Sequence, residues 1–543
     1  MAAHIADLFE HVVDVVPDRV ALVAGKDRLR YADLDAAGNR FAHHLLDVGI
    51  APGEHVGLMA RNTTEHVVAM LGCFKARAVP INVNYRYVAG ELDHLIDDSA
   101  MVCLVHEARF SPVLDDVVPR HPRLRAVISI ADGSAERPST YSPDPWQDAV
   151  AGRSAERDFG ARSADDVYIV YTGGTTGYPK GVMWRHEDVW RTLGGGVDFV
   201  TGEALDEYDQ ARGAATTDIP LVCLPLGPLM HANGQWGLLL RFLTGHTNVL
   251  LPKFDPPAVW RTVETERVNN MSLIGDAMAR PLIEHYEQAR YDASSLATLT
   301  SAAAIFSVEV KERWLAALPD VTVLDIIGAS ETGMTGNGRI QRETLADKGS
   351  LVVPGPGTVV LDADNRILDP ATNVGAVGRI ARRGSIPLGY FGDPEATARA
   401  FVEIDGVRYA VPGDDAQIEP DGRLTLLGRG SSCINTGGEK VYPEEVEVAL
   451  KSHPGVFDAL VLGLPDPTYG QQVAALVQPR PGVDLDVDDV RRELRQHLSG
   501  YKIPRTMHLV AQVPRHVTGK ADYRRGREIA DGLTAAPAAE AVR

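Results

Sequence analysis

VYIVYTGGTTGYPKGV, residues Val167 to Val182, passes from an apolar β-rich run straight into a loop of glycines, threonines and one lysine. Glycines let a backbone come close to phosphate oxygens, Thr172, Thr175 and Thr176 offer hydroxyl donors, and Lys180 adds a positive charge. By composition Gly173, Gly174 and Gly177 belong to a phosphate cradle. It is not a Walker loop, because Pro179 precedes the lysine and no Ser or Thr follows it to hold magnesium. Taken alone, the same segment also reads as a glycine-rich surface turn.

Outward from this loop, short β-rich runs begin at His55, Val102, Val167, Asn248 and Val321, separated by helix-length amphipathic stretches. Strands alternating with helices predict parallel α/β layers. At the N-terminus Ile5, Leu8, Phe9, Val12, Val13 and Val16 recur at the spacing of one helix face, and a second helix is expected from about Asp33 to near Gly49. Polar stretches around 131–165 and 201–216 read as surface excursions.

The 54 Lys and Arg against 73 Asp and Glu leave a net charge of -19 on 543 residues, 45% of them hydrophobic and 23% charged. That is a globular composition, with length for roughly three to four structural units. The acidic field speaks against nucleic acid or an anionic membrane as partner, so an anionic ligand needs a local site. The four cysteines are scattered without CxxC spacing, which suggests neither zinc nor disulfides but reduced thiols and a cytoplasmic setting. Asp7 and Glu10 interrupt the N-terminal apolar stretch, against a secretory leader. The uncharged run between Asp218 and Arg241 contains three prolines, His231, Asn233 and Gln235, which argues against a spanning helix.

Beyond Gly430 the pattern shortens to strand, strand, helix, strand, as in a separate α+β unit of about a hundred residues. The Gly- and Ser-rich boundary GRGSSCINTGG divides the chain into 1–431 and 432–543 and is read as a hinge.

The loop and four later strings, GASETG (Gly328–Gly333), YAVPGDDAQIEPDGRLTLLGRG (Tyr409–Gly430), TGGEKVYPEEVE (Thr436–Glu447) and PRHVTGKADYR (Pro514–Arg524), resemble in order and separation the adenylate-forming superfamily. That superfamily holds acyl-CoA synthetases, luciferases and peptide-synthetase adenylation domains, and the match covers nearly the whole chain. The resemblance implies a large N-terminal AMP-binding domain of layered parallel α/β sheets with a β-subdomain, and a small mobile α+β C-terminal lid.

It also implies roles, position by position. Thr172, Gly174, Thr175, Thr176 and Lys180 grip the β- and γ-phosphates, with Gly173 where many relatives carry serine and Gly177 in the same loop. Glu331 corresponds to the glutamate that holds Mg²⁺, and Ser330 touches the α-phosphate. Ile327 replaces the usual tyrosine against adenine, and Ala303 also falls in the nucleotide site. Asp325 is read either as acceptor of the adenine amino group or as a satisfied core aspartate. Asp414 binds the ribose hydroxyls, where vicinal donors favour a carboxylate. Arg429 touches ribose or phosphate near the hinge. Lys520 is carried across the cleft to bridge the carboxylate and the α-phosphate, as a charge and not a proton carrier.

For thioester formation the small domain rotates about Ser432 and presents Gly437, Gly438 and Lys440 to the pantetheine. His231 lies where relatives place a residue between acyl pocket and thiol entrance; as a plain reading it is a loop histidine. The resemblance thus implies ATP, Mg²⁺ and coenzyme A as cofactors. The segments Leu226–Trp236, Ser301–Phe306 and Gly328–Thr335 are expected to line the acyl pocket. They contain no Lys or Arg to pair with a second carboxylate, which favours a bulky or long apolar acid. VMWRHED, GDAMARPLIE and CINTGGEKVYPEEVE further resemble actinobacterial synthetases for long-chain or steroid side-chain acids. The reading is therefore an acyl-CoA ligase. The alternatives are an acyl-AMP ligase or an adenylation enzyme loading a carrier protein, and a non-catalytic nucleotide-binding protein. A homodimer stays open.

Overall fold

The computed structural model describes residues 3–172, 179–198, 202–303, 306, 308–342, 351–429, 433–514 and 522–535, with the backbone alone at 427–429, 444, 448, 534 and 535. The chain forms two compact units. One comprises Met1–Tyr85, Asp93–Thr172 and Lys180–Gly430; the other is built on Ser431–Arg543 and takes in Arg86–Leu92.

The larger unit is α/β with parallel sheets, as its strand and helix alternation predicts. In one sheet Val20–Ala24, Thr247–Leu250, Val222–Pro225, Asn270–Leu273, Thr298–Ser301 and Thr322–Ala329 run parallel in that spatial order. Helices Pro256–Glu266, Gly275–Gln288 and Val308–Ala317 bury Trp260 and Trp314 against Met271, Leu299 and Val323, the two indoles stacked at 5.5 Å. A second parallel sheet aligns Val79–Asn82, His55–Met59, Cys103–Glu107, Ala126–Ile130 and Asp144–Pro145. His55–Met59 and Cys103–Glu107 are buried along their whole length, the pattern of strands covered on both faces.

The parallel order ends at Ala329. There the chain reverses through Gly333, at φ +65°, into Gly333–Ile340, antiparallel to Thr322–Ala329. An antiparallel β-subdomain continues from it, with Thr358–Leu361, Val377–Arg383, Asp414–Ile418 and Leu424–Arg429 around Val360, Ile380, Ala416 and Leu424.

The N-terminal helix spans Ile5–Val15, as its spacing predicts. The second starts at Tyr31 rather than Asp33, because Asp33 is the third helical residue and its carboxylate accepts from the Arg30 backbone N–H at 3.1 Å, half of a capping box. The stretch 201–216 is not all surface loop: Asp209–Thr216 is helical and buries Ala211 and Ala214. Among the described residues no helix is long and apolar enough to cross a membrane. The run after Asp218 divides into strand Val222–Pro225, a turn, and helix Ala232–Leu243.

The smaller unit is α+β. Val456–Asp466 pairs antiparallel with Gly470–Pro479, which pairs parallel with Thr506–Leu509. Alternation along the first strand sends Ala459 and Val461 into one core with Val446 and Leu494, and Leu460, Leu462 and Leu464 into another with Ala530.

Candidate active site

The glycine loop is carried by an antiparallel hairpin. Val167–Thr172 pairs with Lys180–Arg185, so Thr172 and Lys180 stand opposite each other where the strands meet the loop. Gly173, Gly174, Thr175, Thr176 and Gly177 lie outside the described residues. On the other side Gly389–Tyr390 pairs with Lys180–Arg185, placing Tyr390 against Val182. The Lys180 ammonium therefore lies 5.6 Å from the centre of the Tyr390 ring and pairs with Asp393 at 2.8 Å. The hydrogen bond from Lys180 holds the Asp393 carboxyl below the usual carboxylate range.

The same tyrosine connects the hairpin to the acidic turn. Its hydroxyl donates to Glu331 Oε1 at 3.0 Å, and the Trp184 indole N–H donates to the Ser330 carbonyl at 3.1 Å. Buried Arg382 donates to the Thr332 carbonyl at 3.0 Å, to Thr192 Oγ1 at 3.1 Å and to the Ser385 carbonyl at 2.7 Å. Burial pushes that guanidinium down to about 10. At Gly333 a Cβ would come within 2.2 Å of Thr192 Cγ2, so the turn closes only on glycine. Ser330, Glu331, Thr172 and Lys180 are thus brought together from segments 150 residues apart in sequence.

Glu331 is 7% exposed. Among the described residues no group of three or more His, Cys, Asp or Glu could hold a metal ion. A buried carboxylate is a hard oxygen donor of the kind Mg²⁺ takes, the ion keeping waters and drawing its other ligands from substrate phosphates. Glu331 fits that ion.

Asp325, opposite Ser301 in the parallel sheet, is buried and pairs with Lys311, itself buried beneath Phe306. Burial raises the Asp325 carboxyl, while Lys311 pulls it down. Ile327 packs against the β-subdomain core, and Ala303 lies exposed just beyond Thr298–Ser301 at φ +69°. Asp414 stands opposite Arg429 in the antiparallel ladder, the latter described by its backbone only. His231 is the N-cap residue of Ala232–Leu243.

In the smaller unit Gly437 and Gly438, at φ +60° and +89°, form the two-residue turn between Ile434–Thr436 and Glu439–Val441, with Lys440 opposite Asn435. Two positive φ values suit a tight hairpin turn that glycine alone adopts without strain. Ser432 and Lys520 lie outside the described residues.

A family model described as AMP-binding enzyme matches residues 9–391, and one described as AMP-binding enzyme C-terminal domain matches residues 445–520. The chain belongs to the AMP-binding enzyme family. It is 49% identical over 530 residues to the medium/long-chain-fatty-acid--CoA/3-oxocholest-4-en-26-oate--CoA ligase of Mycobacterium tuberculosis (strain ATCC 25618 / H37Rv), covering 97% of this chain and 96% of that one. The 3-oxocholest-4-en-26-oate--CoA ligase of Rhodococcus rhodochrous is 46% identical, with 96% and 95% covered. Among solved structures, the amide bond synthetase McbA from Marinactinospora thermotolerans matches with a TM-score of 0.79 at 25% identity, over 96% of this chain and 99% of that one.

In this AMP-binding enzyme the sequence reasoning missed Tyr390, Asp393, Trp184, Arg382 and Lys311. Asp393-Pro394 carries a usable signal: Asp as N-cap and Pro at the first helical position announce helix Pro394–Ala400 and fix where its carboxylate stands. Trp184 lies inside the hairpin strand but reads there as core. Nothing marks Arg382 or Lys311, because a buried cation betrays itself only through its partners.

Proposed function

We propose that the chain is an ATP-dependent acyl-CoA ligase that joins an apolar carboxylic acid to AMP and then passes the acyl group to coenzyme A. The observation that carries this is the arrangement of Glu331, held by Tyr390 beside Lys180, at the mouth of the glycine-loop hairpin. A carboxylate must acquire a leaving group before a thiol can displace anything from it, and ATP supplies AMP for that purpose. The obstacle is the approach of one anion to another, so stabilising charge at the phosphates is the main catalytic task.

Lys180 and the Thr172 loop hold the departing pyrophosphate, with Ser330 at the α-phosphate. Glu331 holds Mg²⁺, which when bound offsets phosphate charge. Asp414 takes the ribose, with Arg429 next to it in the ladder. Lys520, on a mobile small domain spanning 432–543, supplies the cation where the two anions meet. Rotation about Ser432 then replaces it by the Gly437–Gly438–Lys440 turn for the thiol. His231 stands between acid and thiol.

The substrate class is medium- or long-chain fatty acids and steroid side-chain carboxylates. The Mycobacterium tuberculosis and Rhodococcus rhodochrous relatives are named for such acids. Segments 226–236, 301–306 and 328–335 of this chain hold no Lys or Arg that would favour a second acidic group. A cytoplasmic location suits the free cysteines Cys73, Cys103, Cys223 and Cys433. The carrier-protein reading is not favoured, since the relative named fatty acid--[acyl-carrier-protein] ligase, from Streptomyces coeruleorubidus, is only 28% identical. The test supplies ATP, Mg²⁺ and a panel of short, long, aromatic and sterol-derived acids, with and without CoA. Thioester plus AMP for the apolar acids supports the ligase; pyrophosphate release with no thioester sinks it in favour of acyl-AMP supply.

A further inference from the structure

The turn Gly227–Met230, which leads into His231, has backbone polar groups satisfied by buried side-chain amides from three different segments. Asn62, just past the end of His55–Met59, donates to the Gly227 carbonyl at 3.2 Å and accepts from the Leu229 N–H at 2.8 Å. Gln235 donates to the Leu229 carbonyl at 2.8 Å, while its Oε1 accepts from the Tyr168 hydroxyl at 2.7 Å. Asn82, the last residue of Val79–Asn82, donates to the Met230 carbonyl at 2.7 Å.

Asn82 does more than its neighbours. Its second N–H donates to the Tyr171 carbonyl at 2.9 Å, and its Oδ1 accepts from the Tyr171 N–H at 2.7 Å. Tyr171 immediately precedes Thr172, in a strand whose other edge pairs with Lys180–Arg185. The amide of Asn82 therefore acts as the missing strand neighbour at the root of the glycine loop and, through its remaining hydrogen, grips the residue before His231. A short primary amide, with two donors and an acceptor on one carbon, suits this bridge. Aspartate would present a carboxylate to two carbonyls, and an apolar side chain would leave buried backbone groups unpaired. Asn62 and Asn82 are 7% and 4% exposed, so water does not replace them readily.

We propose that Asn82 is a positioning residue that fixes Tyr171–Thr172, the root of the glycine loop, and the acid-side His231 segment relative to each other, and that Asn62 positions the acid side alone. The inference rests on the acyl-CoA ligase reading for which side is which, but the clamp itself stands on geometry. Two measurements on the full chain test it.

The first is amide hydrogen exchange of the ligand-free protein. Asn82→Ala is expected to speed exchange in both peptides 168–172 and 228–233, and Asn62→Ala in the second only. The second is the pyrophosphate-release rate with a medium-chain acid. Asn82→Ala is expected to raise KM for ATP and for the acid, each by roughly fivefold or more, whereas Asn62→Ala raises KM for the acid and leaves that for ATP within about twofold. A stability defect alone would lower the active fraction and leave both KM values in place, so Leu361→Ala, in the small core with Ala381, Tyr409 and Val411, serves as control. The proposal is overturned if Asn82→Ala loosens only one segment or neither, or if only one KM moves. If the wild type forms no acyl-adenylate with any acid, the ligase reading falls, and the exchange data still decide for or against the clamp.

Discussion

Replacing Tyr390 by Phe removes one oxygen and leaves the rest of the ring in place. The backbone pairing with Val182, the edge contact with Phe401 at 6.2 Å and the ring face near Lys180 depend on the aromatic plane and strand, not on the hydroxyl. What disappears is the 3.0 Å hydrogen bond to Glu331 Oε1, on a carboxylate that is 7% exposed. Hydrogen bonds to charged groups contribute about 1.5–3 kcal/mol. If that bond holds the carboxylate in its working orientation, its loss costs roughly 10- to 150-fold in adenylation at a limiting Mg²⁺ concentration. The assay is pyrophosphate release from ATP and a saturating acid over a Mg²⁺ titration, alongside the thermal midpoint of the free protein. The expected outcome is a half-saturating Mg²⁺ concentration raised by about tenfold or more, with an unfolding midpoint within about 2 °C of wild type. A Mg²⁺ titration that superposes on wild type would refute the reasoning, because Tyr390 would then only pack.

Other perturbations follow from the same geometry. Lys311→Met strands the buried Asp325 carboxylate and should destabilise the large unit by about 3–5 kcal/mol in denaturant unfolding, while adding Asp325→Asn should recover most of it; no recovery would show that Lys311 acts by packing. Gly333→Ala should abolish adenylation, and Thr192→Ser, which deletes the Cγ2 in its way, should restore part of it while keeping the Thr192 hydroxyl bonds; an active single variant contradicts the tight-turn argument. His66 is pushed down to about 4 by burial, against the upward pull of the Arg61 and Ala60 carbonyls. The unfolded chain binds that proton below about 6.5 and the folded chain does not, so this stability is complete above pH 6.5 and is lost as pH falls toward 4. By pH 5 the loss is about 2 kcal/mol, and His66→Gln should lose correspondingly less between pH 7 and 5 in denaturant midpoints; equal losses would remove His66 from the effect. Lys520→Ala should cost roughly 3 kcal/mol or more in adenylation, and near-wild-type pyrophosphate release would take Lys520 out of the mechanism.

The residues proposed for the chemistry could be named from the sequence because they come in strings. Glycine and threonine followed by Pro-Lys, GASETG and PGDD are local signals whose meaning survives without a fold, and so is the alternation that predicts parallel α/β layers. Helix Ile5–Val15 was likewise written in its periodicity, and the apolar run from Val456 announced a strand. Their supports were not, since Tyr390 meets Glu331 across 59 residues, Asn82 meets Met230 across 148, and Lys180 meets Asp393 across 213. The reversal at Gly333 was hidden for a related reason: a run of apolar residues specifies a strand but not its direction, which depends here on a positive φ and the space beside Thr192. By itself, then, the amino-acid order determined which groups carry charge and which segments become strands. Tertiary structure alone decided which buried amide, phenol or guanidinium holds each of them, because hydrogen bonds between distant segments follow the distances left after the cores have packed.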